Sequence, residues 1–182
     1  MSVKAARRFA VADTCFLIDW SAWRRRDILF ELFITVFVPE SVLMEVRKES
    51  TLEWIADSLS RGSLTLLTET PDLVERARQL IERSKQVPGL RGVDLPESLC
   101  LVFGRRMGYV VLTENRGALM AADVLEELEG VEVWRALEVI IEGIRTGLLT
   151  GSDPFMEYER DTGHRFPKAD LERVRDELRG EA

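Results

Sequence analysis

The chain has 182 residues, 46% hydrophobic and 31% charged, with a net charge of −7. That length suits one hydrophobic core rather than two, and the composition is too apolar for a long disordered tract. The acidic balance argues against a protein that grips nucleic acid through a large basic surface; it is compatible with a nuclease whose carboxylates are there to hold metal.

The N-terminal MSVKAARRF carries positive charge but no apolar run of signal-peptide length. Nowhere do about 18 apolar residues follow one another, so a cytoplasmic protein is expected. RFAVA (8–12) reads as a buried strand ending at Asp13, and FLIDWSAWRRRDILFELF as the helix it feeds. ITVFV (34–38) is the second strand, and Pro39 suits the first turn of a helix over ESVLMEVRKES, with Glu45 inside it.

TLEWIADSLSRG is helical up to Gly62, SLTLLT (63–68) is a strand, and PDLVERARQLIERSKQ is an amphipathic helix. VPGLRGVDLP is a loop, PESLCLVFGRRMG a mostly buried helix, and YVVLT (109–113) a compact strand. RGALMAADVLEELEG reads as a helix to Gly130, VEVW as a short strand, and ALEVIIEGIRTG as a helix ending at Gly147. From 148 to 182 there are turn signals and one clean helix but no strand.

Strands alternating with helices predict an α/β fold: a central parallel, roughly five-stranded sheet with helices on both faces, over 1–147, and a helical extension over 148–182 packed on or near it. Arginine far outnumbers lysine, a choice we ascribe to genome composition or a hot environment rather than to phosphate binding.

In such sheets ligands collect beyond the carboxyl ends of the strands. Asp13 follows one apolar strand and Glu114-Asn115 another; Glu45 and Glu97 lie in or at the start of helices that can lean over the same rim. Oxygen from four segments suits Mg2+ or Mn2+, and such an ion would activate water against a phosphodiester. Cys15 and Cys100 form no CxxC motif, and the single His164 can build neither a zinc site nor a Ser-His-Asp triad. Both thiols read as small, reduced core residues.

The spacing of these acids resembles the PIN-domain family, the VapC-like prokaryotic ribonucleases among them. VADTCFLID presents an Asp ending the first strand before a hydroxyl residue (Asp13, Thr14), and VPESVLMEV a helical Glu after the second strand (Glu45). LPESLCLVFGRRMGYVVLTEN presents an acid opening a buried helix (Glu97) that runs through Gly into a strand ending in Thr113. The tail is similar to a PIN subfamily with a helical segment after the domain.

The resemblance implies a three-layer α/β/α fold and a Mg2+- or Mn2+-dependent endoribonuclease, with Asp13, Glu45, Glu97 and Asn115 as ligands and Glu114 completing the catalytic set. It also implies a homodimer and the toxin half of a toxin–antitoxin pair, with RNA and an antitoxin as partners. Two departures stand out: Glu97 where the family has Asp, and Thr113-Glu114-Asn115 where it has Asp in third place. Asp94 is an alternative to Glu97, three residues out of register. These departures also admit a degenerate PIN domain that binds RNA or protein without cutting. A nucleotide-binding protein ranks third, for want of a GxGxxG or GxxxxGK[ST] motif.

Asp19 is either an outer support of the site or an exposed helix acid, and Thr14 and Thr113 either orient ligands or satisfy backbone groups at strand ends. Arg24, Arg25 and Arg26 read as a solvated helix face, Arg105 and Arg106 as complements to a helix dipole. Trp20, Trp23, Trp54 and Trp134 read as core or interface residues and His164 as a surface residue.

Overall fold

A computed structural model describes residues 8–151 and 153–180. Residues 1–7, part of the segment read above for signal character, and the last two residues of the extension lie outside them. Among the described residues no helix is long and apolar enough to cross a membrane.

Five parallel strands form one sheet: β1 (Arg8–Ala12), β2 (Phe33–Pro39), β3 (Leu64–Leu67), β4 (Val110–Leu112) and β5 (Val133–Trp134), in the order β3-β2-β1-β4-β5. The register pairs Val11 with Phe37 on one side and with Val111 on the other. Parallel strands covered on both faces must be apolar throughout, which is why RFAVA and VVL are so legible. Alternation sends Ala10, Ala12, Val110 and Leu112 into one core and Val11 and Val111 into another, on the opposite face.

The first face carries α1 (Thr14–Ser21), α2 (Leu29–Leu32), α3 (Glu40–Glu45), α4 (Glu49–Ser60) and, later in the chain, α8 (Ala136–Arg145). The second carries α5 (Pro71–Gln86), α6 (Leu95–Met107) and α7 (Arg116–Val124). The protein is therefore a three-layer α/β/α fold. Strand order reverses between β1 and β4, the place where ligands collect in such sheets, and Asp13 and Thr113 follow directly on the carboxyl ends of these two strands. Close packing of α6 on the middle of the sheet depends on glycine: a Cβ on Gly104 would stand 2.3 Å from the Val111 side chain.

Several boundaries differ from the sequence reading. The long helix expected after Asp13 breaks at Ala22, because the Trp20 indole donates to the Arg26 carbonyl at 2.8 Å and the Arg26 guanidinium donates to the Ser21 carbonyl at 2.6 Å. Pro39 is the cap of α3 rather than its first residue, and Glu45 ends that helix. The helix expected to reach Gly130 stops at Val124, where a single 3-10 turn, Glu126–Leu128, tucks Leu125 and Leu128 into the core.

The C-terminal extension holds two helices rather than one: α9 (Pro154–Thr162), capped by Asp153, and α10 (Lys168–Gly180). Phe155, Tyr158, Phe166 and Val174 are buried in the same core as Trp20 and Trp23. Burial of rings at roughly 2 kcal/mol or more each is the main force that docks this segment.

Candidate functional site

Asp13 terminates β1 and caps α1, its Oδ1 accepting from the Phe16 amide at 2.9 Å. An Asp is favoured there because it satisfies an amide that the helix leaves without a partner. Its side chain is wholly buried. The Thr113 hydroxyl, at the end of β4, donates to its Oδ2, and the Cys15 thiol donates to Oδ1 at 3.1 Å. The Asn115 amide donates in turn to Thr113 Oγ1 at 2.9 Å, and Asn115 Nδ2 donates to Glu97 Oε1 at 2.9 Å. A continuous path of hydrogen bonds thus links Glu97 to Asp13 through the two residues flanking Glu114.

Glu45 arrives separately. It is exposed at the last position of α3, and the Thr14 hydroxyl holds its Oε2 at 2.7 Å. Thr14 and Thr113 therefore both donate to carboxylates, and Thr113 also accepts from the Asn115 backbone amide.

The electrostatics are those of acids gathered without a counter-charge. Burial pushes the Asp13 carboxyl up to about 7; its hydrogen bonds from Thr113, Phe16 and Cys15 pull the other way, and the Glu97 charge adds to the rise. Glu97 is raised by burial, with Asp94 and Glu45 adding repulsion and the Asn115 amide opposing it. Glu97 Oε2 is buried and accepts no hydrogen bond from any described residue. An acceptor left so costs about 1–3 kcal/mol unless something positive meets it.

Asp94 itself is exposed at the cap position of α6, outside the hydrogen-bonded path. The two thiols are free; Cys100 is buried, whereas Cys15 is half-buried and spends its proton on Asp13.

Other candidates are turned elsewhere. Asn115 Oδ1 accepts from Gly117 at 2.7 Å and Ala118 at 3.2 Å, so the oxygen expected to face a metal caps α7. Gly117 makes this turn possible, since a Cβ there would stand 2.6 Å from the Gly92 carbonyl oxygen. Glu114 Oε1 accepts from the Ala136 amide at 2.6 Å, at the start of α8. Among the described residues no group of three or more His, Cys, Asp or Glu side chains is assembled as a metal's ligand set.

His164 is not a surface residue. It is half-buried, with Nδ1 3.4 Å from Asp19 Oδ2 and Nε2 3.8 Å from Glu114 Oε2. The Asp19 contact raises its pKa, with Glu114 helping and burial opposing. Asp19 is thereby engaged by the C-terminal segment. The arginine run is no solvated face either: Arg24 pairs with Asp161 and Arg25 with Glu157, each at 2.8 Å, and Arg26 lies over the Trp54 ring. Trp20, Trp23 and Trp54 are core residues, while Trp134 is half-buried beneath the Arg8 guanidinium.

No protein-family model matches this sequence, and no curated protein matches it. Among solved structures, the chain is similar to the crystal structure of PAE2754 from Pyrobaculum aerophilum, at 11% identity and a TM-score of 0.48, covering 80% of this chain and 99% of that one.

Proposed function

We propose that the protein is a divalent-metal-dependent ribonuclease of the PIN class, with Asp13 and Glu97 as the two carboxylates that hold the ion and Glu45 at the edge of the same site. The observation that carries this reading is the buried, unpartnered Glu97 Oε2 beside an Asp13 whose pKa burial has pushed up to about 7. A cation would relieve both.

The donor set fits in kind: hard carboxylate oxygen suits Mg2+ or Mn2+, and Mg2+ commonly takes only one or two carboxylates and keeps water for the rest. Asp13 already accepts three hydrogen bonds but has lone pairs left. Thr113 fixes the orientation of Asp13, Asn115 that of Glu97 and Thr14 that of Glu45. When bound, a divalent ion supplies positive charge toward a phosphate and acidifies water. The toxin role, an antitoxin partner, a homodimer and a cytoplasmic setting come with the family resemblance and stand within the proposal.

Cleavage of single-stranded RNA in Mn2+ tests it. Glu97→Gln, which keeps the side-chain size, should lower the rate by about a hundredfold or more. Equal cleavage by the variant would remove Glu97 from the assignment.

The second reading, a non-catalytic PIN domain that binds RNA or protein, is favoured by the diversion of Asn115 and Glu114 into helix capping. It requires RNA binding that is indifferent to Mn2+, with no cleavage.

A further inference from the structure

Away from the carboxylates, α5, α6 and the turn Glu126–Leu128 line a half-open surface cavity of about 620 Å³. Arg76 and Arg83 enter it from α5, and Arg105 and Arg106 from the last turn of α6. Leu80 and Leu128, both buried, form an apolar floor. Glu97 opens the same helix that Arg105 and Arg106 close, so about 12 Å of helix separates this cavity from the carboxylates.

Elsewhere the arginines are matched by acids, as Arg24 is by Asp161 and Arg25 by Glu157. Here the balance is reversed. Asp72 is shared between Arg76 at 3.2 Å and Arg106 at 3.1 Å, and Arg83 reaches Glu127 only at 3.9 Å. The Arg105 guanidinium has no hydrogen bond or ion pair with any described residue. Each guanidinium offers five N–H donors in a fork that fits phosphate oxygens in pairs. Four of them face two carboxylates, so most of their donors are uncommitted. A planar guanidinium also stacks on a flat ring, and the leucine floor can accept one.

We propose that this cavity is a binding site for the phosphate of a nucleotide, either a free one or one within an RNA strand, with the base against the apolar floor. The site is independent of the metal reading given above, since none of its residues belongs to the carboxylate end. Asp72 competes with the ligand for Arg76 and Arg106, which gives the site a signature that a merely structural arginine cluster lacks.

Calorimetric titration of the full chain at low salt, with EDTA present to keep the carboxylate end free of metal, tests the site. The probes are inorganic pyrophosphate, AMP and a short oligouridylate. Wild-type protein should bind pyrophosphate and AMP, more weakly as salt is added. R83A/R105A, substituted at two exposed positions and checked for a circular dichroism spectrum like that of wild type, should bind about tenfold or more weakly. Asp72→Asn should bind more tightly. Tighter binding of AMP than of pyrophosphate assigns a free nucleotide; a further gain on the oligouridylate assigns a strand. Binding of no probe, or equal binding by wild type and R83A/R105A, overturns the proposal, and neither result bears on RNA cleavage at Glu97.

Discussion

In the C-terminal extension, Asp161 and Glu157 face Arg24 and Arg25 from the turn after α1, Asp170 faces Arg135 at the start of α8, and Asp153 faces Arg175 of α10, each at 2.8–3.0 Å. Arg24 holds the Asp161 carboxyl down to about 2. At the carboxyl end of the sheet, Asp13 is wholly buried and Glu97 half-buried, neither forms an ion pair with an arginine or lysine among the described residues, and their pKa values move the other way. One region uses acids as fasteners over a core of rings; the other keeps acids at a cost in stability. A fold tolerates such a cost where the group serves something other than folding.

The fastened region should break through its rings before its ion pairs. Trp23 is wholly buried against Trp20 and Tyr158, and its indole donates to Glu157 Oε1 at 3.1 Å. Trp23→Ala should cost about 3–5 kcal/mol in urea unfolding, the loss of a large core ring. A cost below about 1 kcal/mol would mean that the extension is not part of the folding unit.

At the carboxylate end the same measurement should show a gain. Asp13 has a folded pKa of about 7 against an unfolded value of about 3.9, so its contribution to stability is fully present below pH 3.9 and is lost as pH rises through 7. In EDTA, Asp13→Asn should therefore be more stable than wild type at pH 8, by up to about 4 kcal/mol, with the difference fading toward pH 4. Asn can still accept the Phe16 amide, so the cap is preserved. A variant less stable than wild type at pH 8 would contradict the view of Asp13 as an uncompensated acid.

A smaller change sharpens the contrast further. Asn115→Asp keeps the capping oxygen and adds charge beside Glu97, so it should tighten Mn2+ affinity by about tenfold, as added ligand charge does in other carboxylate sites. Unchanged affinity would place Asn115 outside the influence of the ion.

Much of the fold was legible because strands buried on both faces must be apolar runs: β1, β3, β4 and β5 lie within the segments read as strands, and β2 overruns its segment by one residue at each end. The grouping of Asp13, Glu45, Glu97 and Thr113 was an expectation of the family resemblance; hydrogen bonds join Glu97 to Asp13 through Asn115 and Thr113, whereas Glu45 is held apart by Thr14. Direction was harder: Glu114 and Asn115 do lie at a strand end, but which way each points depends on the amides of α8 and α7. For Asn115 a signal existed, since an Asn just before the periodic RGALMAAD is a helix cap. No local signal could pair Arg24 with Asp161 or His164 with Asp19, partners more than 130 residues apart whose meeting is fixed only when the rings of α9 dock.

The central claim, that the acids at the crevice await a cation, is tested most directly by titrating metal-free protein with Mn2+ at pH 7 and following heat and proton release in buffers of different ionisation enthalpy. Saturable binding at one site, with displacement of protons from Asp13 and loss of the binding in Glu97→Gln, is the result expected. Absence of binding at millimolar Mn2+, or binding that Glu97→Gln leaves untouched, would contradict it.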